Sequence, residues 1–196
     1  MKGILSDDEI IKLIDSGCIV DGVVHQVRTS NTHKVISYGV SSYGYDVRLS
    51  DSEVKLFANT MDQGIIDPKN FNSDNLVSLK KHDDGCGEYV ILPPGGSALG
   101  STVEYFNVPD DIMIICLGKS TYARSSVIIN VTPIESGFEG TVVIELLNPC
   151  PLPVKVYLNE GIAQFLFFRG ESKCSVSYAD RSGKYQGQTG IQLPIV

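Results

Sequence analysis

Thr141-Val142-Val143-Ile144-Glu145-Leu146-Leu147 is a β-strand by composition, a row of β-branched and leucine residues entered from the glycine turn Glu135-Ser136-Gly137-Phe138-Glu139-Gly140. Glu145 stands alone in that row. Burying an ionised carboxylate is costly unless it is paired or used, so this position is a candidate for chemistry. Residues two apart share a strand face, which puts Val143 and Leu147 beside Glu145. A half-exposed face is the plain alternative, and its apolar neighbours argue against a fully wet one.

Upstream lies Gly118-Lys119-Ser120-Thr121-Tyr122-Ala123-Arg124. A small residue after Lys119 lets backbone N–H groups approach an anion, Ser120 adds a hydroxyl, and Lys119 and Arg124 add charge for a polyphosphate. An ordinary solvated turn fits the same composition.

Further out, strand signals dominate. They run over Tyr43 to Leu49, Glu53 to Phe57, Glu88 to Leu92, Ala98 to Val103, Ile112 to Leu117, Val127 to Val131, Thr141 to Leu147, Val154 to Leu158 and Ala163 to Phe168, separated by turns rich in Gly, Pro, Asn and Asp. One helix is expected near the N-terminus, with Ser6 as N-cap, Glu9 completing a capping box, and Ile10, Ile11, Leu13 and Ile14 forming an apolar stripe that stops at Gly17. The segment from Asp62 to Gly87 is polar and irregular and reads as a surface insertion. The expected architecture is a distorted, mostly antiparallel β-barrel or jelly-roll-like core with a short N-terminal helix.

The chain has 196 residues, enough for a single domain over 1–196 that buries roughly 70% of its unfolded surface. Its hydrophobic fraction of 42% suits a soluble globular protein, and no apolar run approaches the ~20 residues that span a bilayer. Asp7, Asp8 and Glu9 stand where a signal peptide would be basic and then apolar, so a cytoplasmic location is expected. A net charge of −7 argues against a nucleic-acid surface, while still allowing a small anion held by a local cluster such as Lys119, Arg124, Arg181 and Lys184. The five cysteines are scattered and read as free thiols without a catalytic role.

These motifs together resemble the dCTP deaminases of the trimeric dUTPase-like superfamily, whose fold is of the β-clip kind. Ser42-Tyr43-Gly44-Tyr45-Asp46-Val47-Arg48-Leu49 is similar to the first superfamily motif, Gly118 to Arg124 to the second, Glu135 to Gly140 to the third, and Glu160-Gly161-Ile162-Ala163-Gln164-Phe165 to the fourth. The tail from Tyr178 to Gln188 resembles the deaminase segment that closes over phosphates. A frayed terminus has the same composition.

The resemblance implies hydrolysis of the 4-amino group of dCTP to dUTP and ammonia, which supplies dUTP for dUMP and thymidylate synthesis. It implies Glu145 as proton shuttle, with Ser120 and Arg124 holding the water and stabilising charge at C4. Lys119, Ser120, Thr121, Tyr122, Ala123 and Arg124 would bind nucleotide. Val143 and Ile144 would offer backbone groups to the base, and Phe138 would pack on the sugar where a ribose 2′-hydroxyl would clash. Plain core packing is the competing reading of Phe138. Gln164, Tyr178, Lys184 and Gln188 would complete the triphosphate site.

The resemblance further implies a homotrimer with interfacial active sites, Mg2+ arriving with the substrate triphosphate, and dTTP as a candidate feedback inhibitor. No protein-bound transition metal is expected. Zinc nucleobase deaminases need a His or Cys ligand, a glutamate two residues on and a Pro-Cys-x-x-Cys pair, and His25, His33, His82 and Pro149-Cys150 fit none of these. The loop from Asn130 to Gly140 is shorter than in some deaminases, and Glu135 stands where many members carry aspartate. A bifunctional enzyme giving dUMP and pyrophosphate, a dUTPase, and a non-catalytic nucleotide-binding regulator are the alternatives.

Overall fold

Helix α1 (Asp7–Asp15) forms where its capping signals stand: the Glu9 carboxylate accepts the Ser6 backbone N–H at 3.3 Å, and Ile10, Leu13 and Ile14 are buried. It ends in a Schellman arrangement. Gly17 takes φ +92°, its N–H bonds to Ile14 and the Cys18 N–H bonds to Leu13, each at 2.9 Å. The computed structural model describes residues 3–25, 34–58 and 65–196.

The strands are β1 (Ile19–Asp21), β2 (Gly39–Ser41), β3 (Gly44–Arg48), β4 (Lys55–Phe57), β5 (Leu76–Ser78), β6 (His82–Asp83), β7 (Glu88–Leu92), β8 (Ser97–Asn107), β9 (Ile112–Gly118), β10 (Ile128–Asn130), β11 (Glu139–Leu147), β12 (Val154–Tyr157) and β13 (Gly161–Arg169). One sheet runs β10-β11-β8-β4-β5 with β1 also on β8, a second runs β2-β3-β13-β9, and a third runs β12-β7-β6. Every strand pairing is antiparallel. Phe106 of β8 meets Phe165 of β13 with ring centroids 5.3 Å apart, joining the first two sheets through the core. The expected mostly antiparallel β fold with a short N-terminal helix is present.

Two expectations need correction. β8 does not stop at Val103, because Glu104 is buried rather than exposed: its carboxylate pairs with Arg48 Nε at 2.9 Å and accepts the Arg48 N–H at 3.0 Å. Burial pushes the Glu104 carboxyl upward while the Arg48 contacts pull it down, and the net direction is up. A charge inside a strand concealed its continuation to the fully buried Phe106.

The segment from 65 to 87 is also more than an insertion on the surface. Its β5 extends the first sheet by pairing with β4, and Phe71 meets Phe57 edge-on at 6.3 Å. Strands of two or three residues are too short for alternation to reveal. Residues 62–64 of that expectation, and His33, lie outside the described residues.

Candidate active site

β11 is held between β10 and β8, and its alternation buries Val142, Ile144 and Leu146 while Val143, Glu145 and Leu147 are partly exposed on the other face. Both oxygens of Glu145 have neutral donors. Asn130 Nδ2 lies 2.8 Å from Oε2, and Ser97 Oγ lies 3.4 Å from Oε1. The carboxylate borders a cavity of about 510 Å³ together with Val143, Phe138, Glu135, Tyr178 and Gln188. That volume falls in the range of small-molecule sites. Phe57, Phe71 and Leu99 supply an apolar wall.

The outer edge of β11 is left partly open here. β10 reaches only as far as the Asn130–Glu145 pair, and Gln188 pairs with Gly140 and Thr141. Among the described residues, Val143 and Ile144 in between have a strand partner on the β8 side alone, and Val142 sits at a shift of the β11–β8 register. Val143 therefore combines cavity lining with an unpaired strand edge, while the Ile144 side chain is buried on the opposite face.

The turn before β11 is shaped by Gly137, at φ +81°, whose N–H bonds to Val108 at 2.9 Å. It brings Phe138 into the cavity wall, largely buried, with its ring edge-on to Tyr178 at 5.8 Å. The tail is stitched to this turn. Tyr178 N–H bonds to Ser136 at 2.8 Å, Tyr185 N–H to the Tyr178 hydroxyl at 3.0 Å, and Gly187 N–H to Glu139 at 2.8 Å. Gln188 accepts the Thr141 N–H through its carbonyl at 2.9 Å and returns a side-chain bond to the Thr141 carbonyl at 2.8 Å. The Arg181 guanidinium pairs with Glu135 in an exposed bridge, and Lys184 is exposed.

The second motif is built separately, at the end of β9. Residues 120–123 form a single helical turn, α2 (Ser120–Ala123), with Lys119 as N-cap. Lys119 Nζ is ion-paired with Asp46 of β3, with little of either side chain exposed, and burial raises the Asp46 carboxyl against the pull of Lys119. Tyr122 is buried and its hydroxyl accepts the Tyr157 N–H at 2.8 Å. Gln164 Nε2 donates to Ser41 Oγ at 3.0 Å. Ser120, Thr121, Ala123 and Arg124 are exposed, and Arg124 Nη1 donates to the Ser120 carbonyl at 3.1 Å.

Glu145, Val143, Phe138, Tyr178 and Gln188 thus meet at one cavity, whereas Lys119, Ser120, Arg124, Gln164 and Lys184 do not line it. Sequence reasoning missed Asn130 and Ser97 as partners of Glu145. A polar asparagine at the end of a β-branched run was the available signal for Asn130.

Burial pushes the thiols of Cys18 and Cys116 up to about 12, so both are protonated at neutral pH. No group of three or more His, Cys, Asp or Glu suited to a metal ion occurs among the described residues. Among those residues, too, no helix is long and apolar enough to cross a membrane.

Fold and cavity define a mostly antiparallel β protein with a small-molecule-sized cavity beside β11. The crystal structure of 2'-deoxycytidine 5'-triphosphate deaminase from Agrobacterium tumefaciens shares the fold, with a TM-score of 0.59 at 17% identity over 86% of this chain and 48% of that one. The chain thus spans about half the length of that structure. A family model described as dCTP deaminase-like matches residues 4–170. A dCTP deaminase of Pelagibacter ubique is 52% identical over 194 residues, covering 98% of this chain and 99% of the relative. A dCTP deaminase of Francisella philomiragia is 53% identical over 169 residues, 86% of each chain. The chain belongs to the dCTP deaminase-like family.

Proposed function

We propose that this protein hydrolyses dCTP to dUTP and ammonia without zinc, as a hydrolase acting on a cyclic amidine C–N bond. The observation that carries the reading is Glu145, a carboxylate fixed by neutral donors at the wall of a nucleoside-sized cavity. Glu145 takes a proton from water as the oxygen adds to C4, then returns protons to the ring and to the amino group, which leaves as ammonia. The open edge at Val143 and Ile144 offers main-chain groups to the base, and Phe138 stands against the deoxyribose.

Ser120 and Arg124 hold the attacking water and stabilise charge at C4. Their exposure, and their absence from the cavity lining of the same chain, support a site completed by a neighbouring copy in a homotrimer. In the same reading Lys119, Thr121, Tyr122 and Ala123 form the phosphate-facing turn. Gln164, Tyr178, Lys184 and Gln188 complete the triphosphate site, with Mg2+ on the substrate and dTTP as feedback inhibitor.

Glu135 favours release of dUTP over further hydrolysis to dUMP. It borders the cavity, and its carboxylate is engaged by Arg181, which opposes its orienting a second water at the α-phosphate. Single-turnover reaction of dCTP with excess enzyme tests the product. Accumulation of dUTP at the rate of ammonia release is expected. Direct formation of dUMP and pyrophosphate without released dUTP would make the enzyme bifunctional.

A further inference from the structure

We propose that Asn130 is a positioning residue for the reaction, holding one oxygen of Glu145 so that the other is presented for proton transfer. The proposal rests on the reading of Glu145 as the shuttle and adds the residue that aims it. Asn130 and Glu145 are direct cross-strand partners, and such pairs bring Cβ atoms to about 5 Å. At that separation the short asparagine amide meets the longer glutamate, and Nδ2 sits 2.8 Å from Oε2. An ionised carboxylate only accepts hydrogen bonds, so the amide nitrogen rather than its oxygen faces Glu145.

The two oxygens are held unequally. Oε2 has a short bond from a donor that never titrates, whereas Oε1 has only the 3.4 Å approach of Ser97 Oγ. Oε1 is the freer lone-pair site and the natural acceptor for a proton from water. Asparagine is disfavoured in strands, and Asn130 is exposed at the end of β10, so the strand itself gives no reason for it. Replacing the amide with a second carboxylate would invert its effect, because two like charges in contact favour the protonated pair.

Other titratable groups near Glu145 are few. Glu135, Tyr178 and Tyr185 border the cavity, with Glu135 paired to Arg181. Lys55 of β4 lies in the same cross-strand row through Leu99 and is paired with Glu53 at 3.2 Å. The hydrogen-bond partners of Glu145, Asn130 and Ser97, are neutral, as is its partner on β8, Leu99. No charge on these elements replaces the contact that Asn130 makes.

The test compares Asn130→Asp, Asn130→Ala and Glu145→Gln with the wild-type oligomer, measuring kcat and KM for dCTP across pH alongside thermal melting. Asn130→Asp is nearly isosteric, so a folded protein is expected. Its acid limb of kcat should move to higher pH, since the shared proton is lost less readily. Asn130→Ala should lower kcat by up to about 100-fold with KM within about threefold, the scale of a misaimed catalytic group. A pH profile of Asn130→Asp superimposed on wild type, with Asn130→Ala at full kcat and Glu145→Gln inactive, would overturn the role of Asn130 alone. Glu145→Gln at wild-type rate would overturn the shuttle itself, and this proposal with it.

Discussion

Glu160 shows how one buried side chain can couple the fold to pH. It is almost fully buried beside β13, accepts the Ile36 N–H at 2.7 Å, and burial raises its carboxyl above the ordinary value of 4.5 despite that bond. The native state therefore binds this proton at higher pH than the unfolded chain. The stability it contributes is present at low pH and is lost as pH rises through the raised native value. Glu160→Gln mimics the protonated form, so the stability difference between variant and wild type should grow in the variant's favour from pH 5 to pH 7.5. Urea midpoints at the two pH values check this, and a constant difference would contradict it.

At the scale of elements, the tail is part of the cavity wall. Tyr178 is its anchor, placed against Phe138 and bonded through its hydroxyl to Tyr185 N–H. Gly183 lies so close that a Cβ there would sit 2.1 Å from the Tyr178 ring. Gly183→Ala should force the ring away at a cost of about 1–3 kcal/mol, the range for overpacking. Residues 178–188 should loosen while the sheets persist. Hydrogen exchange reads this directly: the Thr141 amide, bonded to Gln188, should exchange faster while Ile114 keeps its protection. Unchanged exchange at Thr141 would mean that the tail is not held through Tyr178.

Elements with enough alternation were legible in the sequence. The apolar stripe and caps of α1 and the long runs of β11 and β13 carry their periods locally. β8 was only half legible, because the partner that lets Glu104 go inside, Arg48, is 56 residues away. Lys119 is a further long-range case: its amine is engaged by Asp46, 73 residues earlier, a partner that its neighbours in sequence do not reveal. Asn130 was hidden for a similar reason, since its meaning comes from the register that sets it opposite Glu145. The family motifs supplied the grouping of distant runs that periodicity alone does not provide.

On the scale of the whole molecule, the chain carries two separate groups of candidate site residues. One is the cavity with Glu145, Phe138 and Tyr178, and the other is the exposed turn with Ser120 and Arg124. In a cyclic trimer, a turn from one copy facing the cavity of the next would build three equivalent sites by a single repeated contact. Exposed Leu117 at the end of β9 and Ile128 on β10 flank that turn in sequence with apolar surface.

The most direct measurement is subunit complementation. Glu145→Gln and Arg124→Ala, each expected to lose about 10²-fold or more of activity alone, are unfolded together, refolded as a mixture and assayed for ammonia release from dCTP. If each site draws Glu145 from one copy and Arg124 from its neighbour, random mixing should restore about a quarter of wild-type activity. A mixture no more active than the two variants separately, with mixed oligomers demonstrated, would contradict a shared site and return Ser120 and Arg124 to the chain that carries Glu145.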